Sequence, residues 1–578
     1  MKTNKNAPSP TANKFAGYTL SLRSYFLRCV DSVEEAETLM LDIFLHSPKR
    51  NMGDRMSKWA LGALSGCIAV MALFSFALQS AASPVGTPEA KSQANVLLIL
   101  VDDLKPALGS YGDPNAISPN IDRLAARGVR FESAYTNQAV CVASRYNLML
   151  GSRSTSTGLY NFGTDFRKIF PNAITLPQHF KNHGYISQSM GKVYHIGHGN
   201  DNDEASWTLT HHKDKVVEYL LPESTRNQLT REEAFFGNIE TGVPNKQLPR
   251  GAAWESPDVL DEAYADGRIA RIAIDRLKKA ATKPQEKFFM AVGFARPHMP
   301  FSAPKKYWDL YDPKQFELAE FQEHPKDAPK ISRKRRGEIS QYFPIPEDRE
   351  HYDEALQRQL IHGYYASMSY MDAQVGRVLD ALDRYGLSDN TIVLLWGDHG
   401  FHLGDHGIWT KHTNFEQATR IPLIIAAPGM QRGVSSGQLV ETVDIYPTLV
   451  ELAGLPQPQA PQPMDGQSLV PVLKDPKARI RDHAYHVFPQ AGVLGLAIRT
   501  DRYRMVRWKK SPDDVAYELY DLLNDPLETE SIASKKPKVI RELEAILESY
   551  PEPVALHAHR DLSSTELVHK KSQTRLDK

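Results

Sequence analysis

Cys141, Ser144 and Arg145 stand within one short stretch, Cys141-Val142-Ala143-Ser144-Arg145. Downstream of the leader region Cys141 is the sole cysteine, the others being Cys29 and Cys67. In an exported chain one cysteine cannot close an internal disulfide. It is then a buried small hydrophobe, a reactive thiol, or a residue converted into something else. The helix-like run Tyr146–Leu150 and a stop at Gly151 follow it. A helix start with an arginine beside it attracts anions and favours a thiolate or another anionic group. Two acidic pairs add a second kind of chemistry. Asp102-Asp103 and Asp398-His399 each follow an apolar run. Adjacent carboxylates repel one another unless a cation lies between them, and calcium takes oxygen ligands of this kind. The plain alternative is that each pair caps a turn. Lys192 and His195, in Gly191-Lys192-Val193-Tyr194-His195, could face one anion or leaving group, or could be loop surface charges. His298 stands between Pro297 and Pro300, which aim it rigidly, and Lys411 follows the second acidic pair. His402 and His406 are expected to support their neighbours or to be structural.

The elements that must position these groups are legible as apolar runs. Asn95–Val101, Phe288–Phe294 and Thr391–Trp396 read as strands buried on both faces, the mark of a parallel sheet, and Arg420–Ile425 as one more strand. In such sheets ligands gather at the carboxyl ends of strands, where both acidic pairs fall. Val129–Tyr135 and Tyr185–Met190 are further strand candidates. Ser118 as N-cap and Pro119 as first helical residue open a helix that Gly128 ends. Tyr364–Leu387 is a long helix whose Met368, Met371, Val375, Val378, Leu379 and Leu382 form its apolar face. The expected fold is α/β, a large, mostly parallel central sheet sandwiched by helices. A proline-rich linker at 456–463 leads to a smaller C-terminal α+β subdomain. There Ala484–Phe488, Gly495–Arg499, Tyr503–Trp508 and Ala516–Tyr520 read as an antiparallel sheet, and Lys536–Tyr550 as an amphipathic helix. Residues 200–287 and 311–350 read as loops, and the run Arg333-Lys334-Arg335-Arg336 as solvated surface.

The 578 residues carry zero formal net charge and 41% hydrophobic residues, so no bulk field recruits nucleic acid. Trp59–Leu78 is an apolar stretch preceded by Arg55 and Lys58 and followed by Ser80, Ala81 and Ala82. That is a signal-peptide layout, with an uncleaved membrane anchor as the rival. Leu64-Ser65-Gly66-Cys67 looks like a lipobox, but it lies mid-run and is read as chance. The division expected is an over-extended or disordered start at 1–51, a signal peptide at 52–82 and a linker at 83–93. A catalytic domain at 94–463, a C-terminal subdomain at 464–555 and a mobile tail at 556–578 follow. Export to the periplasm or medium is expected, with no stable membrane span after cleavage.

Taken together, these motifs resemble the formylglycine-dependent sulfatases of the alkaline phosphatase superfamily. Cys141-Val142-Ala143-Ser144-Arg145 is similar to their C-x-P/A-S-R signature. The stretches NVLLILVDDLKPALGSYG, GKVYH, ARPHMPF and DHGFHLGDHGIWTKHTNFEQATRIPLI resemble the iduronate-2-sulfatase branch, as do AIRTDRYRMVRW and ELYDLLNDP. The resemblance covers about residues 94–550, with gaps in the loops at 200–287 and 311–350. It implies that a formylglycine-generating maturation enzyme oxidises Cys141 to formylglycine, whose hydrate attacks sulfur. The alcohol leaves, and the second hydroxyl then expels sulfate. It further implies one calcium ion held by Asp102, Asp103, Asp398, His399 and residue 141, with Arg145 steadying the hydrate. Lys192 and Lys411 would bind sulfate oxygens, His195 would assist collapse of the intermediate, and His298 would be the acid for the leaving oxygen. Ala143 replaces the signature's usual proline, which leaves open which maturation enzyme acts. The implied substrate is a sulfated sugar or uronate-containing glycan. Two other readings stand beside it: a phosphonate or phosphodiester hydrolase of the same superfamily, and a non-catalytic sulfoglycan-binding protein with Cys141 unmodified.

Overall fold

The computed structural model describes residues 93–195, 202–334, 337–347 and 351–559. The expected start, leader, nearly all of the linker and most of the tail lie outside them, as do Arg335 and Arg336 of the basic run. No helix among the described residues is long and apolar enough to cross a membrane.

The apolar runs form the expected strands: β1 (Asn95–Val101), β2 (Val129–Tyr135), β3 (Ile186–Gly191), β4 (Trp254–Glu255), β5 (Phe288–Phe294), β6 (Phe301–Ser302), β7 (Thr391–Gly397), β8 (Arg420–Ala426) and β9 (Val434–Glu441). Seven of them make one sheet in the order β3-β5-β1-β7-β8-β2-β9, while β4 and β6 pair separately. The first four of the seven run parallel, β8 runs against both its neighbours, and β2 pairs parallel with β9. β1 and β7 are buried along their whole length, which is why they read as unbroken apolar runs. Each face of the sheet carries its own apolar core: Leu97, Ile99 and Val101 point to one, Val96, Leu98 and Leu100 to the other.

Helices cover both faces: α1 (Pro119–Ala125), α2 (Cys141–Leu150), α3 (Leu176–Asn182), α4 (Ala265–Ala281), α5 (Glu354–Arg384) and α6 (Ile445–Leu452). Ser118 is the N-cap of α1, yet its hydroxyl accepts from the Gly109 amide at 2.9 Å and does not cap the helix. The expectation that 200–287 is loop fails at α4, whose Ile269, Ala270, Ala273 and Leu277 are buried. Arginines and lysines dilute that stripe, so its helical period is weak in the sequence. Helix α5 begins ten residues before the expected Tyr364, at Glu354, because the Asp353 carboxylate accepts from the Leu356 amide at 2.9 Å.

The C-terminal part is an antiparallel sheet of β10 (His483–Gln490), β11 (Val493–Thr500), β12 (Tyr503–Ser511) and β13 (Asp514–Asp521), backed by α7 (Pro537–Glu548). It docks on the catalytic part through polar bonds. Arg499 pairs with Glu416, the Glu416 amide donates to the Glu528 carboxylate at 3.0 Å, and the Val487 amide donates to the Asn137 carbonyl at 2.9 Å.

Gly191 and Gly293 bring two parallel strand ends into backbone contact. A Cβ on Gly293 would lie 2.1 Å from the Lys192 carbonyl oxygen, and one on Gly191 2.0 Å from the Gly293 oxygen. Backbone cannot yield as a side chain does. Gly293→Ala is therefore expected to cost about 3 kcal/mol or more. The check is the midpoint of chemical denaturation, and an unchanged midpoint would refute the close approach.

Candidate active site

All the candidate groups except Cys141 and Arg145, which share helix α2, follow the carboxyl ends of the four parallel strands. β1 ends at Val101 opposite Gly397 of β7, so Asp102 and Asp398 leave the sheet at one level. β3 ends at Gly191 opposite Gly293 of β5, which puts Lys192 next to the β1 end. His298 lies four residues beyond β5, in a loop pinned by Asp266 of α4, whose carboxylate accepts from the Ala295 and Arg296 amides, each at 2.9 Å. Cys141 comes from the other side of the sheet switch, as the first residue of α2, and is 1% exposed. Thr136 donates to Ser144 at 2.8 Å, and Ser144 donates to the Asp398 carbonyl at 2.5 Å, tying α2 to the end of β7.

Ligand atoms of Asp102, Cys141, Asp398 and His399 lie within 4.8 Å of one another, as do those of Asp102, Asp103, Cys141 and His298. All six residues are buried. His399 Nδ1 hydrogen-bonds the Gly400 carbonyl at 3.0 Å, which leaves Nε2 facing Cys141 Sγ at 3.1 Å and Asp103 at 3.6 Å. Burial pushes His399 down to about 4, so its imidazole is neutral and suited to ligation.

Cations interleave with the carboxylates. Lys192 pairs with Asp102. Arg145, fully buried, donates from Nε to Asp398 at 3.0 Å, lies 3.4 Å from Asp102 and bonds the Lys192 carbonyl. Lys411 reaches Asp103 at 3.0 Å. Burial alone would raise Asp102, but Lys192, His298 and Arg145 hold it well below the usual carboxylate range. Asp398 goes the other way: burial, and then the Asp102 charge, push it up against Arg145. Such crowding of buried carboxylates is what a bound cation relieves, so the donor set fits a metal ion.

Of the states the sequence leaves open for residue 141, the fold disfavours the thiolate. Burial raises the Cys141 thiol well above its ordinary value, against the pull of Lys411 and Lys192. A protonated thiol at this depth is a poor nucleophile. His195 is buried between Phe162 and Phe236, with ring centroids 5.0 and 6.2 Å away. Phe236 also meets His298 edge-on at 5.5 Å and Lys192 Nζ at 5.7 Å, forming an apolar wall.

Glu338 was not among the expected residues. Its carboxylate bridges His298 Nε2 at 3.0 Å and Lys411 Nζ at 2.5 Å, two groups on different loops. Lys411 and His298 hold it well below the carboxylate range in spite of burial. Gly337 lets its loop approach: a Cβ there would lie 2.6 Å from Thr410 Cβ. A glutamate in a charged, aperiodic loop carries no sequence signal of such a contact. An anion is thus already seated between Lys411 and His298.

The sulfatase family model matches residues 94–455, and a model of the N-sulphoglucosamine sulphohydrolase C-terminal region matches residues 404–552. The chain belongs to the sulfatase family. Membership makes it a sulfuric ester hydrolase. It is 33% identical to the iduronate 2-sulfatase of Mus musculus over 544 residues, 79% of this chain and 94% of that protein. Among solved structures it is similar to one determined in complex with its substrate D-glucosamine-2-N,6-O-disulfate. There the TM-score is 0.62 at 21% identity, covering 79% of this chain and 97% of the other. The phosphonate monoester hydrolase of Agrobacterium radiobacter has the same fold, with TM-score 0.61 at 22% identity over 79% and 95% of the two chains. The sulfatase family generally uses a formylglycine and a metal ion, and the buried acidic cluster of this sulfatase offers donors for the latter.

Proposed function

We propose that this chain hydrolyses a sulfate ester of a sulfated sugar, with a uronate-containing glycan or a fragment of one as the favoured substrate class. The observation that carries the reading is the buried convergence of Cys141, Asp102, Asp103, Asp398 and His399 with Lys192 and Lys411 at one sheet edge. Residue 141, converted to formylglycine, supplies a hydroxyl nucleophile, and Asp102, Asp103, Asp398, His399 and residue 141 would hold one calcium, which would supply Lewis acidity. Lys192 and Lys411 bind the sulfate oxygens and stabilise charge as it develops. Arg145 fixes Asp102 and Asp398 in position. His298 passes a proton from Nε2 to the leaving sugar oxygen, and His195 assists release of sulfate. Phe162 and Phe236 keep bulk water from these groups. The carboxylate of Glu338 between Lys411 and His298 supports the assignment, because those two groups accept an anion in common. At 1% exposure Cys141 is out of reach in the folded chain, so its maturation enzyme would act before the sheet closes over it.

The remaining expectations belong to the same reading: residues 94–463 as the catalytic domain, 464–555 as the C-terminal subdomain, and export by the signal at 52–82. Assay of the exported protein against a 2-sulfated uronate disaccharide, a glucosamine sulfate, an aryl sulfate and a phosphonate monoester tests it. A sulfated sugar is expected to exceed the phosphonate in kcat/KM by about 100-fold or more, since binding energy from the sugar adds to that from the sulfate. Faster turnover of the phosphonate would overturn the reading.

A further inference from the structure

A polar cavity of about 340 Å³ borders the catalytic centre at Glu338, with Arg231, Lys334 and His412 among its lining residues. Among the described residues, its charged groups other than Lys334 have polar partners. Arg231 donates to Gln341 at 3.1 Å and to the Lys246 carbonyl at 3.2 Å. Glu347 lies 3.3 Å from Arg250, and Glu338 holds Lys411 and His298. Lys334 has no carboxylate partner among the described residues; its ammonium lies 5.7 Å from the centroid of the Phe488 ring. Burial lowers it below the ordinary lysine range, a penalty that no carboxylate among the described residues offsets. His412 stacks on the same ring at 6.1 Å, and its buried Nε2 makes no hydrogen bond among the described residues. His412 follows Lys411 directly in the chain and lines the cavity, so it stands beside the lysine proposed to bind sulfate.

The loop that carries Lys334 is fixed. Ile331 packs against Val493, Val506 and Trp508 of the C-terminal sheet, and Gln490 donates to the Arg333 carbonyl at 3.0 Å. An unpaired ammonium and an unpartnered imidazole nitrogen, held on a built floor beside the reaction centre, form a site for an anion.

We propose that this cavity is a subsite for a second anionic group of the saccharide, a uronate carboxylate or a further sulfate, bound by Lys334 with His412 as its hydrogen-bond partner. The proposal rests on the sulfated-sugar reading above and assigns to it a second charge. It gives the basic run a purpose: Lys334 reads the sugar next to the ester being cut.

The test measures binding by calorimetry in the full chain carrying Cys141→Ala, so that it needs no turnover. The probes are a monosulfated uronate, a hexosamine disulfate without carboxylate, and a monosulfated hexose with no second anionic group. Adding Lys334→Gln is expected to weaken the first, the second or both by about 10- to 100-fold, the worth of a charge-assisted hydrogen bond, and to leave the singly charged hexose unchanged. Which probe loses affinity tells carboxylate from sulfate. Equal loss on all three, or none on any, overturns the proposal. Sugar binding with the Lys334 effect, but no hydrolysis of any sulfate ester by the unsubstituted protein, would remove the sulfatase reading and leave the subsite. Failure of every probe to bind removes both.

Discussion

Cys141→Ala is expected to abolish sulfate-ester hydrolysis, lowering kcat by about 10⁴-fold or more, with a melting temperature within about 2 °C of the unsubstituted protein. The size of the first effect follows from the role: lysines and acids placed around a missing nucleophile have nothing to assist. The smallness of the second follows from packing. Sγ meets His399 Nε2 at 3.1 Å at the start of α2, and its loss leaves a void of about one methyl group. Mass spectrometry of the tryptic peptide Phe131–Arg145 from the native host completes the experiment. A lighter, aldehyde-bearing residue at 141 is expected. The depth of Cys141 and its raised thiol both argue that the thiol itself does no chemistry. An alkylatable thiol in fully active protein, or a Cys141→Ala chain that still turns over, would refute the assignment.

Removal of the metal is expected to have an effect of similar size. Dialysis against a calcium-selective chelator should lower kcat by about 10³-fold or more and reduce the melting temperature, and added calcium should restore both. Three buried carboxylates, Asp102, Asp103 and Asp398, face three cations, Lys192, Arg145 and Lys411. In that arrangement the two lysines are spent on carboxylates. On the proposed reading, a divalent cation beside Asp102 and Asp103 would free the two lysines for sulfate oxygens. Without a cation the raised Asp398 marks the cost of packing these carboxylates together. Activity that survives the chelator, or that zinc restores and calcium does not, would overturn the choice of ion.

The unbroken apolar runs at Asn95–Val101, Phe288–Phe294 and Thr391–Gly397 were readable because strands buried on both faces admit no polar residue. The groups that follow them were readable for the same reason, since a parallel sheet exposes its chemistry where the apolar run stops. So Asp102, Asp103, Lys192, His298, Asp398 and His399 could be picked out by type and place. Signals that depend on dilute patterns were weaker. The α4 stripe is interrupted by charge, and the start of α5 turns on the single side-chain bond of Asp353.

Tertiary structure alone decided the rest. The order β3-β5-β1-β7, which sets Asp102 beside Asp398 and brings Lys192 to Asp102, is a matter of which strands pair, and strand composition is the same for many orders. The reversed direction of β8 is likewise unwritten in its residues. Contact between Glu338 and Lys411 spans 73 positions and depends on a glycine beside Thr410. Ionisation was also beyond the sequence. An arginine near Cys141 favours an anionic group there, but burial, a property of the whole fold, works against a thiolate. The sequence by itself thus determined which groups stand at strand ends; long-range packing determined which of them meet and in what charge state.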